Sequence, residues 1–277
     1  MKKERGFQWP DSHQGAISLT FDDGLTSQLR VAVPLLNEYG LHGTFYVPPG
    51  GDDWKDRLAP WHEAAKSGHE IGNHSLSHIC SCNFSGDPVS RGLENVCLEE
   101  IESDILEAQR RLQILIPEQK NWTFCYPCYQ DFVGRGEKRQ SYVPVIARHF
   151  MAARGIGETI MANSPLACDL HYLWSWPVER MSGAGMIGLV ERAIAQGRWG
   201  ILTFHAINEG SHLPMSDFDL KELLNHLKCN RDRIWTVPVV KAAEYILKWC
   251  GGSKIQQSYE DRANAVDALK TKPSKYI

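Results

Sequence analysis

The sequence predicts an α/β fold on a mainly parallel sheet, for three reasons. Short apolar runs alternate with amphipathic stretches along nearly the whole chain. Glycine, proline or acidic residues close most of these runs, as they close buried strands. Hydrophobic residues make up 43% of the 277 positions, enough for a core with helices packed on a sheet.

Taken in order, Ala16–Phe21 reads as the first strand. Ser27–Tyr39 reads as a helix, with Leu29, Val33 and Leu36 at helical spacing and Gly40 at its end. Thr44–Val47 is a strand stopped by Pro48 and Pro49. Pro60 suits a first helical turn and Gly68 a helix end, so a short helix is expected between them, before the strand-like Glu70-Ile71-Gly72. Gly92–Leu115 reads as the longest helix, through Val96, Ile101, Ile105 and Leu112, and Thr123–Tyr126 as a strand. Asp131–Tyr142 is polar and glycine-containing, a surface loop near the site. Phe150–Arg154 reads as a strand and Gly155–Asp169 as irregular chain. Met186–Gln196, Asp217–Asn230 and Val239–Trp249 are helical, and Gly200–Phe204 and Ile234–Val237 are strands. Residues 1–15 are expected as an N-terminal extension, 16–250 as one catalytic domain, and the polar stretch 251–277 as a tail.

A net charge of −3 provides no electrostatic footprint for nucleic acid or an anionic membrane. No apolar run approaches the ~20 residues of a membrane span. Met1–Gly6 is charged with no hydrophobic stretch behind it, so a cytoplasmic location is expected unless a leader has been removed. The eight cysteines are Cys80, Cys82, Cys97, Cys125, Cys128, Cys168, Cys229 and Cys250. Cys80-x-Cys82 with Cys125-x-x-Cys128 would supply four thiolates to zinc, and Cys125-x-x-Cys128 alone resembles a redox pair. Neither a zinc-ribbon pattern nor the redox helix accompanies them, and all eight are expected as free thiols.

Two segments carry chemistry: Thr20-Phe21-Asp22-Asp23-Gly24 and His74-Ser75-Leu76-Ser77-His78. Alone, the first is an ordinary turn signal and the second a pair of surface imidazoles. Together, one Asp and two His form a three-ligand set for a divalent ion with positions left open for water and substrate. A strand-to-loop junction would project Asp23, and four-residue spacing would set His74 and His78 on one helical face. The spare carboxylate, Asp22, is then free to act as a general base.

Both segments match the first two motifs of the polysaccharide deacetylases, the NodB-homology or carbohydrate esterase family 4, which the chain resembles over roughly Ala16 to Leu247. The resemblance implies a distorted (β/α) barrel of seven or eight mainly parallel strands, with the site at their carboxyl ends. It implies a hydrolase that removes N-acetyl or O-acetyl groups from a carbohydrate with one divalent ion. Zinc is the first choice, and the donor set also accepts cobalt or nickel. Metal ligands would be Asp23, His74 and His78, the base Asp22, and the general acid His205, which ends Leu202-Thr203-Phe204-His205.

The third motif departs from the family pattern. Many relatives read R-x-P-[YF], the arginine holding the base, where this chain has Cys125-Tyr126-Pro127-Cys128. It is similar to relatives with F-x-Y-P, as in Phe124-Cys125-Tyr126-Pro127. Tyr126, Pro127 and Cys128 are expected at the pocket, with the Cys128 backbone N–H as oxyanion donor, and Arg154 is a candidate substitute for the arginine. The fourth motif is degraded: Asp169 is a candidate to orient His205, and Trp174 and Trp176 are candidates to line an acetyl pocket. One rival reading keeps the fold but hydrolyses a non-sugar amide, cyclic ureide or imide; another is a non-catalytic carbohydrate-binding relative. The expected partner is an acetylated carbohydrate or small amide, with no nucleic acid and no membrane; oligomeric state stays open.

Overall fold

A computed structural model describes residues 6–85, 91–158, 160–208 and 213–250. Residues 1–5 of the expected extension and the expected tail, 251–277, lie outside the described residues. Eight parallel strands form one sheet: β1 (Gly15–Phe21), β2 (Thr44–Val47), β3 (Glu70–Asn73), β4 (Thr123–Cys125), β5 (Ala152–Arg154), β6 (Trp176–Pro177), β7 (Trp199–Phe204) and β8 (Ile234–Thr236). Their spatial order is β5-β4-β3-β2-β1-β7-β6. β8 pairs with the start of β1 at Gly15–Ile17, while β2 pairs with its end at Thr20 and Phe21. A parallel bridge from Arg154 to Leu173 draws the chain ahead of β6 onto β5 and curls the sheet into a distorted (β/α) barrel. Among the described residues no helix is long and apolar enough to cross a membrane.

β1 is buried along its whole length, as a central parallel strand must be. Its polar residues are satisfied locally: the Ser18 hydroxyl donates to the Val237 carbonyl (2.7 Å) and the Thr20 hydroxyl to the Leu202 carbonyl (2.8 Å). Phe21 stacks between Phe45 and Phe204, centroids 4.8 and 5.0 Å away, because the three share one level in register. This aromatic layer lies directly under the carboxyl ends of β1, β2 and β7 and fixes where Asp22 and His205 leave the sheet.

The helices α1 (Val33–Tyr39), α2 (Trp54–Lys66), α3 (Leu98–Leu115), α4 (Val143–His149), α5 (Gly183–Ala195), α6 (Asp217–Cys229) and α7 (Val239–Cys250) accompany the sheet. Three depart from expectation for physical reasons. The Ser27–Tyr39 stretch opens as a π-helical turn, Gln28–Ala32, before α1. Pro34 has no N–H for the α-helical bond, and the wider turn from Val33 N–H to Gln28 carbonyl precedes it. α2 begins at Trp54, not Pro60, because burying Trp54, Leu58 and Trp61 on one face outweighs the bond that Pro60 cannot make. α3 starts at Leu98, since Cys97 and Glu100 form a capping box there and Leu93–Asn95 is a separate turn. The expected loop 131–142 contains a short antiparallel pair, Phe132–Val133 with Gln140–Ser141. Trp9, in the expected extension, is buried against Trp235 and Tyr245.

Candidate active site and metal centre

Asp22 and Asp23 leave β1 where its ladder ends, and the chain reverses at once. Asp23 has φ 77° and Gly24 φ 61°; a Cβ on Gly24 would also sit 3.0 Å from Val47 Cγ1. His74 and His78 follow β3 on an irregular loop rather than on a helical face. Ser75 (φ 60°) and His78 (φ 48°) are left-handed, which turns both imidazoles to one side without a helix. Side chains dictate that path. Asn73 Oδ1 accepts from Ser75 N–H (2.8 Å), Ser75 Oγ accepts from His78 N–H (3.0 Å), and the Asp104 carboxylate accepts from Leu76 and Ser77 N–H (2.8 and 3.3 Å).

The result is a compact triangle of donor atoms. Asp23 Oδ1 lies 3.4 Å from His74 Nε2 and 3.2 Å from His78 Nε2, and the two nitrogens are 3.2 Å apart. A tetrahedral ion with ligands at about 2.0–2.1 Å spaces its donors about 3.3–3.4 Å apart, so these residues fit a first-row dication. His74 Nδ1, 3.0 Å from the Cys125 carbonyl, carries the proton that it donates there, leaving Nε2 free to coordinate. Burial opposes ionisation of Asp23, but hydrogen bonds and charge from His74 and His78 hold it far below the usual carboxylate range. Burial also opposes charge on His78, and Asp23 more than compensates, raising it.

Asp22 is buried behind this triangle. Its N–H donates to the Phe204 carbonyl (2.9 Å), extending the β1–β7 ladder by one bond. The fully buried Arg154 guanidinium donates to Asp22 Oδ1, and Cys125 Sγ lies 3.6 Å from Oδ2. Burial pushes the Asp22 carboxyl up, yet Arg154, His74 and His205 together leave it below its ordinary value. The arginine comes from the neighbouring strand: β4 and β5 pair Cys125 with Arg154 at the same level. The small thiol of Cys125 leaves room for that guanidinium, which also donates to Ser175 Oγ (3.2 Å) and lies over the Tyr46 ring. The Cys125 thiol itself is pushed up by burial.

His205 follows β7. Its Nε2 faces Asp22 Oδ2 at 3.9 Å and its Nδ1 lies 2.7 Å from Glu179 Oε1. Burial alone would lower the imidazole, but Glu179 and then Asp22 outweigh it and hold His205 above its ordinary value. Asp169 does not do this: its carboxylate is 62% exposed and accepts from His171 N–H at 2.8 Å. Sequence reasoning missed Glu179 because β6 is only two residues long. The signal is visible once register is known, since Pro177 pairs with Thr203 and so sets Glu179 level with His205.

Other expected pocket residues are placed differently. Tyr126 is buried, its hydroxyl donating to the His171 carbonyl (2.8 Å) among aromatic neighbours, and Pro127 is buried beside it. Trp176 packs into the core against Gly200 and donates its indole N–H to the Met161 carbonyl (2.8 Å). Trp174 lines a cleft with Tyr172, Asn163 and Asp169, which includes none of the candidate ligands, base or acid. Cys128 (φ 54°) is joined to Cys80 in a disulfide, so the expectation of eight free thiols is corrected. Adjacent β3 and β4 bring together two loops that are 48 residues apart in sequence. Cys97, Cys125, Cys168, Cys229 and Cys250 are free.

Strain concentrates here. Of the ten non-glycine residues with positive φ among those described, five are Asp23, Ser75, His78, Cys128 and Tyr129. Left-handed backbone costs of order 1–3 kcal/mol per residue and persists where surrounding bonds over-determine it, which marks this end of the barrel as the functional one.

Comparison with known proteins agrees. A family model described as polysaccharide deacetylase matches residues 10–131. A peptidoglycan-N-acetylglucosamine deacetylase of Bacillus cereus is 27% identical over 110 residues, 39% of this chain, and the match spans 44% of that relative's length. A Mycobacterium smegmatis protein assigned to the polysaccharide deacetylases has a similar structure, with TM-score 0.61 and 16% identity over 88% of this chain and 93% of that one. A family 4 acetyl xylan esterase from Clostridium thermocellum, in complex with a cobalt ion, aligns at TM-score 0.51 and 19% identity over 85% of this chain and 92% of its own. Those two likenesses establish the shared fold. Residues 10–131, the segment that holds Asp22, Asp23, His74 and His78, are similar to the polysaccharide deacetylases.

Proposed function

We propose that this protein is a divalent-metal-dependent hydrolase that removes acetyl groups from an acetylated carbohydrate, the N-acetyl group of an amino sugar first. The observation that carries the reading is the Asp23, His74 and His78 triangle standing beside a buried, arginine-paired Asp22 and a glutamate-paired His205. The sugar class is supported by the family match over residues 10–131 and by the name of the Bacillus relative.

Asp23, His74 and His78 would hold the ion, zinc first, with cobalt or nickel also suited to one carboxylate and two imidazoles. Bound there, an ion acidifies water and polarises an acyl carbonyl. Asp22, kept ionised by Arg154, takes the proton of the attacking water at Oδ2. His205, kept protonated by Glu179, delivers a proton from Nε2 to the departing nitrogen or oxygen, 3.9 Å from the base. We assign the oxyanion to the Cys128 backbone N–H, from its position just past β4.

The test is acetate release from acetylated chito-oligosaccharides, acetylated xylan and cyclic amides before and after chelation, with zinc, cobalt or nickel restored. Turnover of the acetylated sugars that falls on chelation and returns with the ion is expected. Turnover of cyclic amides alone would move the reading to the non-sugar hydrolases, and activity unmoved by chelation would remove the metal from it.

A further inference from the structure

Beyond the last β1–β7 ladder bond, Asp22 N–H to Phe204 carbonyl, the two chains diverge just where the base and the acid must keep a working distance. One side chain spans the gap. Gln28 is fully buried, and its single amide nitrogen donates to the Asp22 carbonyl and, at 3.1 Å, to the His205 carbonyl. Both of its N–H groups are used, one on each catalytic backbone. Its neighbour Ser27 reinforces the contact: Ser27 Oγ accepts from Ile207 N–H at 3.1 Å, two residues past His205. Gln28 opens the π-helical turn, whose extra residue is a feature often found where a helix serves a site. Among the described residues its Oε1 finds no hydrogen-bond partner although it is buried. A residue chosen only to fill space would be apolar, since burying that oxygen unpaired has a cost.

We propose that Gln28 is a positioning residue that sets the spacing between Asp22 and His205 by clamping both backbone carbonyls to one amide. The inference rests on the hydrolase reading above. Glu179, just past β6, and Arg154, on β5, each contact only one of the two side chains. Only Gln28, among the described residues, hydrogen-bonds the backbones of both. Among the described residues it hydrogen-bonds none of Asp23, His74 and His78.

The experiment uses Gln28→Met, which keeps length and volume but removes both donors. Metal content and KM should stay within about twofold, while kcat on an acetylated chito-oligosaccharide falls by about 10²-fold, the scale of a 1 Å misplacement. In a His205→Ala background the same substitution should cost less than about threefold, because the spacing it protects no longer matters. An undiminished loss in that background would show a general packing role and overturn the proposal. A crystal structure of Gln28→Met supplies a readout besides activity: the Asp22 Oδ2 to His205 Nε2 separation, 3.9 Å here, should lengthen. An unchanged separation also overturns it. If Gln28→Met fails to fold, Gln28→Asn keeps the amide but is one methylene too short to reach both carbonyls, and the same outcomes apply. If the unaltered protein releases no acetate from any substrate, the hydrolase reading fails, while the crystallographic separation still decides the clamp.

Discussion

The proposed ligand side of the site and the proposed acid–base side are held by different means. Asp23, His74 and His78 sit on loops bent through left-handed backbone and pinned by Asn73, Ser75 and Asp104. Asp22, Arg154, Glu179 and His205 sit at or just past strand ends, and their meeting depends on parallel register between β1, β5, β6 and β7. The first group lies wholly within residues 10–131, the part matched to the family; three of the four in the second lie beyond it. A loop can hold ligands by local bonds and so be kept as a short motif. A pair assembled by register depends instead on the level its members share in the barrel, as Cys125 and Arg154 do.

That contrast predicts different failures on the two sides. On the ligand side, His74→Ala should reduce bound ion from about one per chain to none and abolish turnover, since two donors no longer close the site. Full metal content and activity in this variant would sink the ligand assignment. On the other side, Asp22→Asn should keep the ion and lose about 10²–10⁴-fold in rate, the contribution of a placed general base. If Asp22→Asn lost metal as Asp23→Asn does, the two aspartates would have to exchange roles.

Arg154 tests the register side through stability. Removing one member of a buried ion pair leaves the other charged and unsolvated, so Arg154→Met should destabilise the fold by about 3–5 kcal/mol. The double variant with Asp22→Asn should recover part of that loss, because the stranded charge is gone. Chemical denaturation of the three variants measures both effects. Strict additivity would mean that the two side chains do not depend on one another.

The same division explains what could be read from the sequence. Strand and helix order was legible because burial imposes period and length, and Ala16–Phe21 and Gly200–Phe204 both fall on observed strands. Asp22, Asp23, His74 and His78 were legible because short motifs state them. The helical face expected for the histidines was not: four-residue spacing carries no information about Asn73, Ser75 and Asp104 redirecting the loop. Arg154 was visible only as a candidate, Glu179 and Gln28 not at all, since each matters through a partner more than 20 residues away or through a side-chain bond to backbone. The Cys80–Cys128 disulfide was hidden for the same reason, as it follows from β3 and β4 being neighbours.

Glu179 offers a milder test. A general acid must be protonated, so the rate falls as pH rises through the His205 pKa. Glu179 and Asp22 raise that pKa in the folded protein. Glu179→Gln removes one of these charges, lowers the pKa, and moves the alkaline limb of the pH–rate profile to lower pH. The loss should be small at acid pH and about tenfold above neutrality, and larger for amides than for an activated aryl acetate, whose phenolate leaves with little help. A uniform loss across pH would show that Glu179 only supports the ring.

The smallest effect is expected at the disulfide, where the two sides touch. His74 donates its Nδ1–H to a carbonyl, whereas His78 Nδ1 lies 3.7 Å from Cys80 Sγ. Partners of a ligating imidazole tune metal affinity by about 10–100-fold. Because Ser75 and Asp104 also hold this loop, the lower end applies: Cys80→Ser should weaken ion binding by about tenfold in competition with a chelator. The ion-saturated rate should stay within about threefold, since base, acid and ligands are intact. Cys229→Ser, at an exposed free thiol, is the control and should change neither. Thiol titration of the unfolded protein without reductant should find six free thiols. Eight would show that Cys80 and Cys128 are not crosslinked in solution. Equal affinities for Cys80→Ser and the parent would mean that the crosslink braces the loops without reaching the ion, leaving Asp104 and Ser75 as what holds His78 in place.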